Sequence, residues 1–276
     1  MKKILSLFIA TLFIANLSFA QETAKKYRFG VKVAAQPTWL RSNAINKYTN
    51  SGSIFGFGFG LAIEYKFTDA VSFATGIGGD VLGGKQEYKT TYSTVGYAVN
   101  KNGDYVLNDK NWATNGDKFY SLESREISTT YVTIPLTLKM MTNEINGWKY
   151  FVIFGGNAGI LTKARARENV SLYNKTNFSN PITSNQSNTD MKIYKDCIPV
   201  KADLNVGIGT EYRLAGTTSL ALSINYIRGL TNLYYPTSKY LITEFPNSYN
   251  SSLSPPIGAT QGAFGDAIQI NIGILF

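Results

Sequence analysis

One stretch decides the fold: residues 54–67 read IFGFGFGLAIEYKF. Large apolar side chains occupy every second position, and small or charged residues occupy the positions between them. Because alternate side chains of a β-strand point to opposite faces, this pattern predicts a strand with two unlike faces. A strand buried on both faces would not place Glu64 and Lys66 beside its glycines. The apolar row has the length of a membrane-spanning strand, which needs roughly 9 to 11 residues.

The same alternation recurs along the chain and predicts about eight strands. Their apolar rows begin near Phe29, Phe55, Val71, Val132, Tyr150, Val200, Leu220 and Ile268. The first strand is expected to end before Pro37. Three links are short, at residues 68–70, 141–148 and 213–218, whereas polar loops are expected at 83–126 and 168–196. In an up-and-down barrel alternate links lie at the same end, so all short links are expected at one rim.

This asymmetry is typical of outer-membrane barrels, which have short periplasmic turns and long extracellular loops. Aromatic residues cluster near the short links and predict an interfacial girdle: Tyr27, Phe29, Tyr65, Phe67, Phe73, Trp148, Tyr150, Tyr212 and Phe276. The predicted fold is therefore an all-β, eight-stranded antiparallel up-and-down transmembrane β-barrel. The alternative is a water-soluble, lipocalin-like barrel, in which the row from Phe55 to Phe67 would line the cavity.

The amino terminus has the pattern of a secretory signal peptide. Lys2 and Lys3 precede an apolar segment at 4–17, and Ser18 and Ala20 fit the small-x-small cleavage rule. We expect residues 1–20 to be removed and residues 21–276 to form one barrel domain in the outer membrane of a Gram-negative bacterium. The 27 Lys and Arg exceed the 18 Asp and Glu. This excess favours anionic surfaces such as lipid phosphates; nucleic acid is not an expected partner of an exported chain.

Three segments resemble the small outer-membrane β-barrel proteins of Bacteroidetes known as the PorT family. They are YVTIPLTLK (131–139), YIRGLTNL (226–233) and the terminal INIGILF (270–276). The sequence departs from the family at Thr133, where an acidic residue is common, and in its long loops. The resemblance implies a location and a fold, and an association with type IX secretion for PorT itself. It supplies no catalytic residues.

Histidine is absent from the chain, which excludes Ser-His-Asp and Cys-His catalysis and removes the commonest metal ligand. We expect no cofactor and no metal. A carboxylate-based hydrolase remains an alternative, because Glu64, Asp203 and Glu211 are predicted to point into the lumen. The favoured interpretation is a charge network, since buried carboxylates need partners. The predicted partners are Lys66, Lys139 and Lys201.

Three basic residues alternate beyond the fifth strand: Lys163, Arg165 and Arg167. If Asn157 and Gly159 face the lumen, the same parity directs these three side chains inward at the long-loop rim. They would then form a basic mouth that attracts anions, either as the entrance of a narrow anion-preferring pore or as a docking point for acidic glycans or a protein partner. The alternative is a solvated strand extension, with Asp203 and Glu168 as partners.

Eight strands leave an interior just wide enough for side chains to fill it. We therefore predict a non-enzymatic barrel with a filled lumen that acts through its extracellular loops in a structural, adhesive or secretion-accessory role. Its expected partners are outer-membrane lipid, the barrel-assembly machinery and a protein or glycan at the loops. Phe276 ends the last alternating strand and is the predicted assembly signal.

Overall fold

The computed structural model describes residues 26–42, 48–88, 95–109, 111–174, 177–243 and 257–276. The predicted signal peptide, residues 1–20, lies outside these ranges. The described strands form one twelve-stranded sheet, with these bounds: β1 (Tyr27–Ser42), β2 (Tyr48–Lys66), β3 (Val71–Tyr88), β4 (Gly96–Val99), β5 (Lys118–Met141), β6 (Trp148–Asn174), β7 (Asn177–Lys192), β8 (Val200–Ala215), β9 (Thr218–Gly229), β10 (Thr237–Ile242), β11 (Gly258–Thr260) and β12 (Ala263–Leu275). A short helix, α1, spans Trp112–Asn115, and no helix in the described ranges is long and apolar enough to cross a membrane.

The barrel wall is a continuous series of antiparallel pairings. It runs from β1 through β2, β3, β5, β6, β8, β9 and β12, and β12 pairs again with β1. The four remaining strands lengthen the sheet at the end of the long links: β4 pairs with β5 and β10, β10 with β11, and β7 with β6. The predicted all-β antiparallel barrel is confirmed.

The two faces of β2 lie as its sequence predicts. Phe55, Phe57 and Phe59 point outward, and Phe59 keeps 73% of its surface exposed, whereas Gly58 and Glu64 are buried in the lumen. The β6 pattern is also confirmed, with Tyr150, Val152 and Phe154 outward. An apolar exterior around a polar interior is the arrangement of a membrane barrel. It contradicts the lipocalin-like alternative, which needs the phenylalanines inside.

The wall extends well beyond its apolar exterior. On β5 the outward positions from Val132 to Met140 are apolar, but the next ones, Thr130, Ser128 and Glu126, are polar. We call the region beyond this boundary the cap: residues 81–88, 95–130, 161–199 and 230–262, within the described ranges. The predicted loops at 83–126 and 168–196 are wrong to this extent, because both contain strand. The outward residues of these strands are polar, so the sequence there lacks the alternation of apolar and polar residues that marks the membrane strands.

Pro37 does not end the first strand, contrary to the prediction. It lies within β1 and opposite Phe55 of β2. On the other side, residues 36 and 37 leave a gap in the β12 pairing, which resumes in the same register at Thr38. Proline lacks an N–H, so it is tolerated in a strand where one ladder bond is missing. The strand therefore continues to Ser42.

The cap has a hydrophobic core of its own, which fills the barrel at the end of the long links. Tyr97, Tyr120 and Ile127 pack there with Leu40 of β1. A smaller cluster joins Trp112 of α1 to Phe119. Burial of such large side chains stabilises a structure by about 1.5 to 3 kcal/mol each. The long links therefore form a packed layer over the lumen.

The predicted girdle surrounds the opposite, short-turn rim. Tyr27 packs on Tyr65 with 5.0 Å between ring centroids, and Trp148 packs on Tyr212 at 4.8 Å. Phe276 exchanges backbone hydrogen bonds with Phe29. Tyrosine and tryptophan favour the interface between lipid and water. A second aromatic position, which the sequence did not indicate, lies below the cap, where Trp39 stacks on Tyr226 at 6.4 Å.

Candidate functional site in the barrel lumen

Four buried charges meet near the short-turn rim: Arg28, Glu64, Lys139 and Glu211, which we call the four-charge cluster. Arg28 lies 3.2 Å from Glu64 and 3.0 Å from Glu211. Lys139 lies 2.5 Å from Glu64 and also bonds to Glu211. Each cation contacts both carboxylates, so two positive and two negative charges alternate. All four side chains are at most 8% exposed.

The barrel brings these residues together from four strands. Arg28 and Glu64 are cross-strand neighbours on β1 and β2, whereas Lys139 lies on β5 and Glu211 on β8. Each residue lies within four positions of the short-turn end of its strand, so all four reach the same height. Glu64, Lys139 and Glu211 were predicted from their inward parity. Arg28 was missed, although its place between Tyr27 and Phe29 gives it the same inward parity.

The cluster is supported by an aromatic ring and a hydroxyl. The Nζ of Lys139 lies 4.3 Å from the ring centroid of Phe151, a cation–π contact. Ser219 accepts a hydrogen bond from Arg28 and donates one to Glu211 at 3.3 Å. A buried charge is tolerated only when it is paired and hydrogen-bonded. The cluster meets this requirement and has no net charge.

A second group lies closer to the cap: Asp80, Lys201 and Asp203, the lysine–aspartate cluster. Lys201 lies 2.7 Å from Asp203 and 3.0 Å from Asp80 across the lumen. Thr133 of β5 donates a hydrogen bond to Asp80. A Cβ on Gly159 would lie 2.7 Å from the Lys201 side chain, so this glycine leaves room for the lysine. The pairing of Lys201 with Asp203 was anticipated, but the role of Asp80 was not.

Amide side chains fill the lumen between the two clusters. Asn205 donates a hydrogen bond to Asn157 at 3.1 Å, and Asn225 donates one to Asn205 at 2.9 Å. Asn271 extends the series by donating to Asn225 at 3.3 Å. Two small cavities of about 40 and 100 Å³ lie in this part of the lumen. The lumen is therefore largely occupied by its own side chains.

The cap contains a buried ion pair of its own, between Arg125 of β5 and Glu168 of β6, which are cross-strand neighbours. Nε of Arg125 donates to Glu168 at 2.7 Å, and Tyr105 bonds to both residues. Burial opposes the charge of Arg125, but the Glu168 carboxylate together with Tyr105, Tyr88 and Tyr234 outweighs it and holds the pKa of Arg125 above its usual value. Burial raises the pKa of Tyr105 well above 10.0. The sequence suggested Glu168 only as a partner for the basic mouth.

Residues 19–235 match the family described as outer membrane protein beta-barrel domain. The chain belongs to this family. The family match therefore assigns this barrel to the outer membrane. No curated protein matches the chain.

Several solved structures are similar to this outer-membrane barrel. OprG from Pseudomonas aeruginosa aligns over 90% of this chain and 95% of its own, with 11% identity and a TM-score of 0.37. Neisserial surface protein A covers 90% and 95%, with 10% identity and a TM-score of 0.36. The outer membrane protease OmpT from Escherichia coli covers 94% and 99%, with 9% identity and a TM-score of 0.35. The family assignment itself rests on the sequence match.

The predicted basic mouth of this outer-membrane barrel is wrong in its facing. Tyr131 pairs with Leu161 and Thr130 with Lys163, so Thr162 is an extra residue on β6. Such a β-bulge reverses the faces of every later residue. Ala164, Ala166 and Glu168 turn inward instead, and Lys163, Arg165 and Arg167 turn outward.

Two of the outward basic residues form ion pairs with acidic residues of the cap. Arg165 lies 2.9 Å from Asp190, and Arg167 lies 3.2 Å from Glu126. The predicted partners Asp203 and Glu168 are buried with Lys201 and Arg125 instead. The three residues therefore form a solvated strand extension on the outside of the wall.

Lys66 was one of the predicted partners of the lumen carboxylates, but it lies outside the four-charge cluster. Both oxygens of Glu64 are already bonded, Oε1 to Lys139 and Oε2 to Arg28. Lys66 instead borders a cavity at the short-turn rim. The sequence alone could not decide this, because Lys66 and Arg28 compete for the same carboxylate.

Two further buried polar groups of the cap, Cys197 and Asp196, have shifted pKa values. In the described ranges, no three Cys, Asp or Glu side chains come together to hold a metal ion. Burial raises the pKa of Cys197 to about 12, so its thiol stays protonated at neutral pH. Burial also raises the pKa of Asp196, which is held by Ser238 and by the backbone N–H of Lys239. Both groups are part of the packed cap.

Proposed function

We propose that this outer-membrane barrel is a non-conducting, non-enzymatic membrane anchor that holds its folded cap outside the cell. The membrane wall would consist of eight strands, β1, β2, β3, β5, β6, β8, β9 and β12, with the short turns in the periplasm. The cap would serve a structural, adhesive or secretion-accessory role.

The four-charge cluster carries this proposal. Its members come from β1, β2, β5 and β8, which are distributed around the series of paired strands, so their contacts cross the lumen. Separating them would leave charges uncompensated in a narrow interior, which costs several kcal/mol per ion. The lysine–aspartate cluster and the cap core form two further layers along the same axis. Ions would have to pass all three layers.

The two alternative functions have weaker support. The anion-preferring pore depended on an inward basic mouth, and those residues face outward. The carboxylate-based hydrolase depended on Glu64, Asp203 and Glu211, which are ion-paired to lysine or arginine.

Planar bilayer recording tests the closed lumen. We expect the purified, refolded barrel to give no steady single-channel steps, because three packed layers cross its axis. A known porin inserted in the same bilayers verifies the recording, and a Lys163→Glu, Arg165→Glu, Arg167→Glu variant is expected to be equally silent. Reproducible anion-selective steps in the wild type that disappear in this variant would contradict the closed lumen and favour the anion-preferring pore.

The cap offers exposed aromatic and basic residues to a partner. Tyr194 and Tyr235 are exposed, and the ammonium group of Lys239 lies 5.2 Å from the ring centroid of Tyr235. Tyrosine supplies contact area together with a polar tip, which suits protein and glycan surfaces. Cross-linking on intact cells, compared between the wild type and a Tyr194→Ser, Tyr235→Ser variant, tests this role. The same partners in equal amounts would exclude these two residues.

The resemblance to PorT-like proteins of Bacteroidetes makes a secretion-accessory role one form of this proposal, and export through a cleaved signal peptide is part of it. Phe276 is the proposed signal for the assembly machinery, because it is exposed at the rim and anchors β12 to β1. Deleting Phe276 is expected to lower the amount of heat-modifiable barrel in the membrane fraction. Phe67→Ala is the control: it truncates an exposed side chain in the turn after β2, keeps the backbone hydrogen bond from Phe67 to Val71, and should leave assembly unchanged.

A further inference from the structure

A polar cavity of about 190 Å³ opens at the short-turn rim, below the four-charge cluster. We call it the vestibule. Its charged lining consists of Arg28, Lys66, Glu144, Lys149, Glu211 and Arg213. The cavity has room for a phosphate-sized group together with water. Phe276 and Thr217 also border it, so it lies at the height of the aromatic girdle.

The carboxylates of the vestibule are already occupied. Glu211 bonds to Lys139 through Oε1 and to Arg28 and Ser219 through Oε2. Glu144 forms an ion pair with Arg213. Every acidic group in the lining therefore has a cationic partner that compensates its charge.

Two lysines of the vestibule, Lys66 and Lys149, are not paired with these carboxylates. Lys149 is the cross-strand neighbour of Glu211, and Lys66 follows Glu64 on the same face of β2, yet both carboxylates point to other cations. In the part of the chain that the structure describes, neither lysine forms an ion pair within 4.0 Å, and both are half-buried. Lys66 is within electrostatic range of Arg28 and Lys149, as well as of the exposed Asp69 and of Glu211, which is already paired with Arg28 and Lys139. The vestibule lining thus carries two uncompensated positive charges.

We propose that the vestibule binds an anionic phosphate group between Lys66 and Lys149. Lysine is a common phosphate ligand that acts as a point charge, and a half-buried site strengthens the attraction relative to bulk water. The hydroxyl of Thr217, at the edge of the cavity, is a further donor. The vestibule lies at the height of the aromatic girdle, where lipid headgroups lie, so one source of the phosphate is the headgroup of an anionic phospholipid. The other source is free phosphate.

Native mass spectrometry of the detergent-purified full barrel tests the lipid source, using phosphatidylglycerol and, for comparison, phosphatidylcholine. Titration with inorganic phosphate, followed by calorimetry, tests the free ion. The test variant is Lys66→Gln, Lys149→Gln, which removes no ion pair of the described residues and should fold and remain heat-modifiable. The matched control is Lys101→Gln, Lys118→Gln, which removes two exposed lysines of the cap.

We expect the wild type and the cap control to bind, and the Lys66, Lys149 variant to bind at least about tenfold more weakly. Preference for phosphatidylglycerol without a phosphate isotherm assigns the site to the lipid headgroup. A saturable phosphate isotherm without lipid preference assigns it to the free ion. Equal binding by the vestibule variant, or no binding of either probe by the wild type, would overturn the proposal.

Discussion

Replacing Lys139 with methionine is expected to destabilise the barrel by about 3 to 5 kcal/mol, because breaking a buried ion pair leaves uncompensated charge. Lys139 contacts both carboxylates of the four-charge cluster and is 3% exposed. Without it, Glu64 and Glu211 share the single positive charge of Arg28 in a lumen that admits little water. Urea unfolding in lipid vesicles, followed by tryptophan fluorescence, measures the difference.

A double variant separates lost charge balance from lost packing. In Lys139→Met, Glu211→Gln the remaining pair of Arg28 and Glu64 is neutral, and we expect it to recover most of the loss, since a balanced replacement of buried ion pairs is often tolerated. Lys118→Met is the matched control, because Lys118 is exposed in the cap. A loss below about 1 kcal/mol in the single variant, the range of an exposed pair, would mean that the cluster is hydrated and does not seal the lumen.

The second large effect is expected in the cap, where Arg125→Met should open the cap locally. Arg125 and Glu168 are completely buried, and the loss of the guanidinium leaves Glu168 and Tyr105 without their cation. We expect a cost of about 3 to 5 kcal/mol, confined to the cap. Hydrogen exchange of the purified barrel should detect it as loss of protection at 118–130 and 161–174, with 132–140 still protected.

Arg167→Met is the matched control, because Arg167 forms an exposed ion pair with Glu126 that contributes only about 0 to 1 kcal/mol. Within the described residues, Nη1 of Arg125 and Oε2 of Glu168 are buried without a hydrogen-bond partner. The double variant Arg125→Met, Glu168→Gln removes both charges and the unbonded Nη1 but keeps a buried amide, so it should recover much of the lost protection. Unchanged protection in the single variant would mean that the cap core holds these strands without the pair.

Much of the membrane wall could be predicted because, in a barrel strand, odd-numbered and even-numbered residues point to opposite sides, one to the lipid and the other to the lumen. Along β2, a large residue at every odd position from Phe55 and a small or charged one at every even position determine which side meets lipid. The same parity directs Glu64, Lys139, Lys201, Asp203 and Glu211 inward. Each of these inferences needs only neighbours in sequence.

The cap and the reversed basic residues could not be predicted in this way. A strand whose outward residues are Thr130, Ser128 and Glu126 has the composition of a loop, and only its pairing with β3 and β6 reveals it as a strand.

The sequence gives no sign that Thr162 is an extra residue, because a β-bulge is a mismatch between two paired strands and is visible only when both strands are aligned. It reverses Lys163, Arg165 and Arg167 and turns Glu168 toward Arg125.

The sequence by itself determined the class of fold and the face on which each membrane-embedded residue lies, since both follow from the alternation of side chains along single strands. Only the tertiary structure decided which charges are partners. Arg28 and Lys139 pair with Glu64 and Glu211, whereas Lys66 and Lys149 do not. All six residues reach the same end of the lumen, from the five strands β1, β2, β5, β6 and β8. The choice of partners depends on distances between residues of different strands across the lumen, and these distances cannot be read from the sequence of one strand.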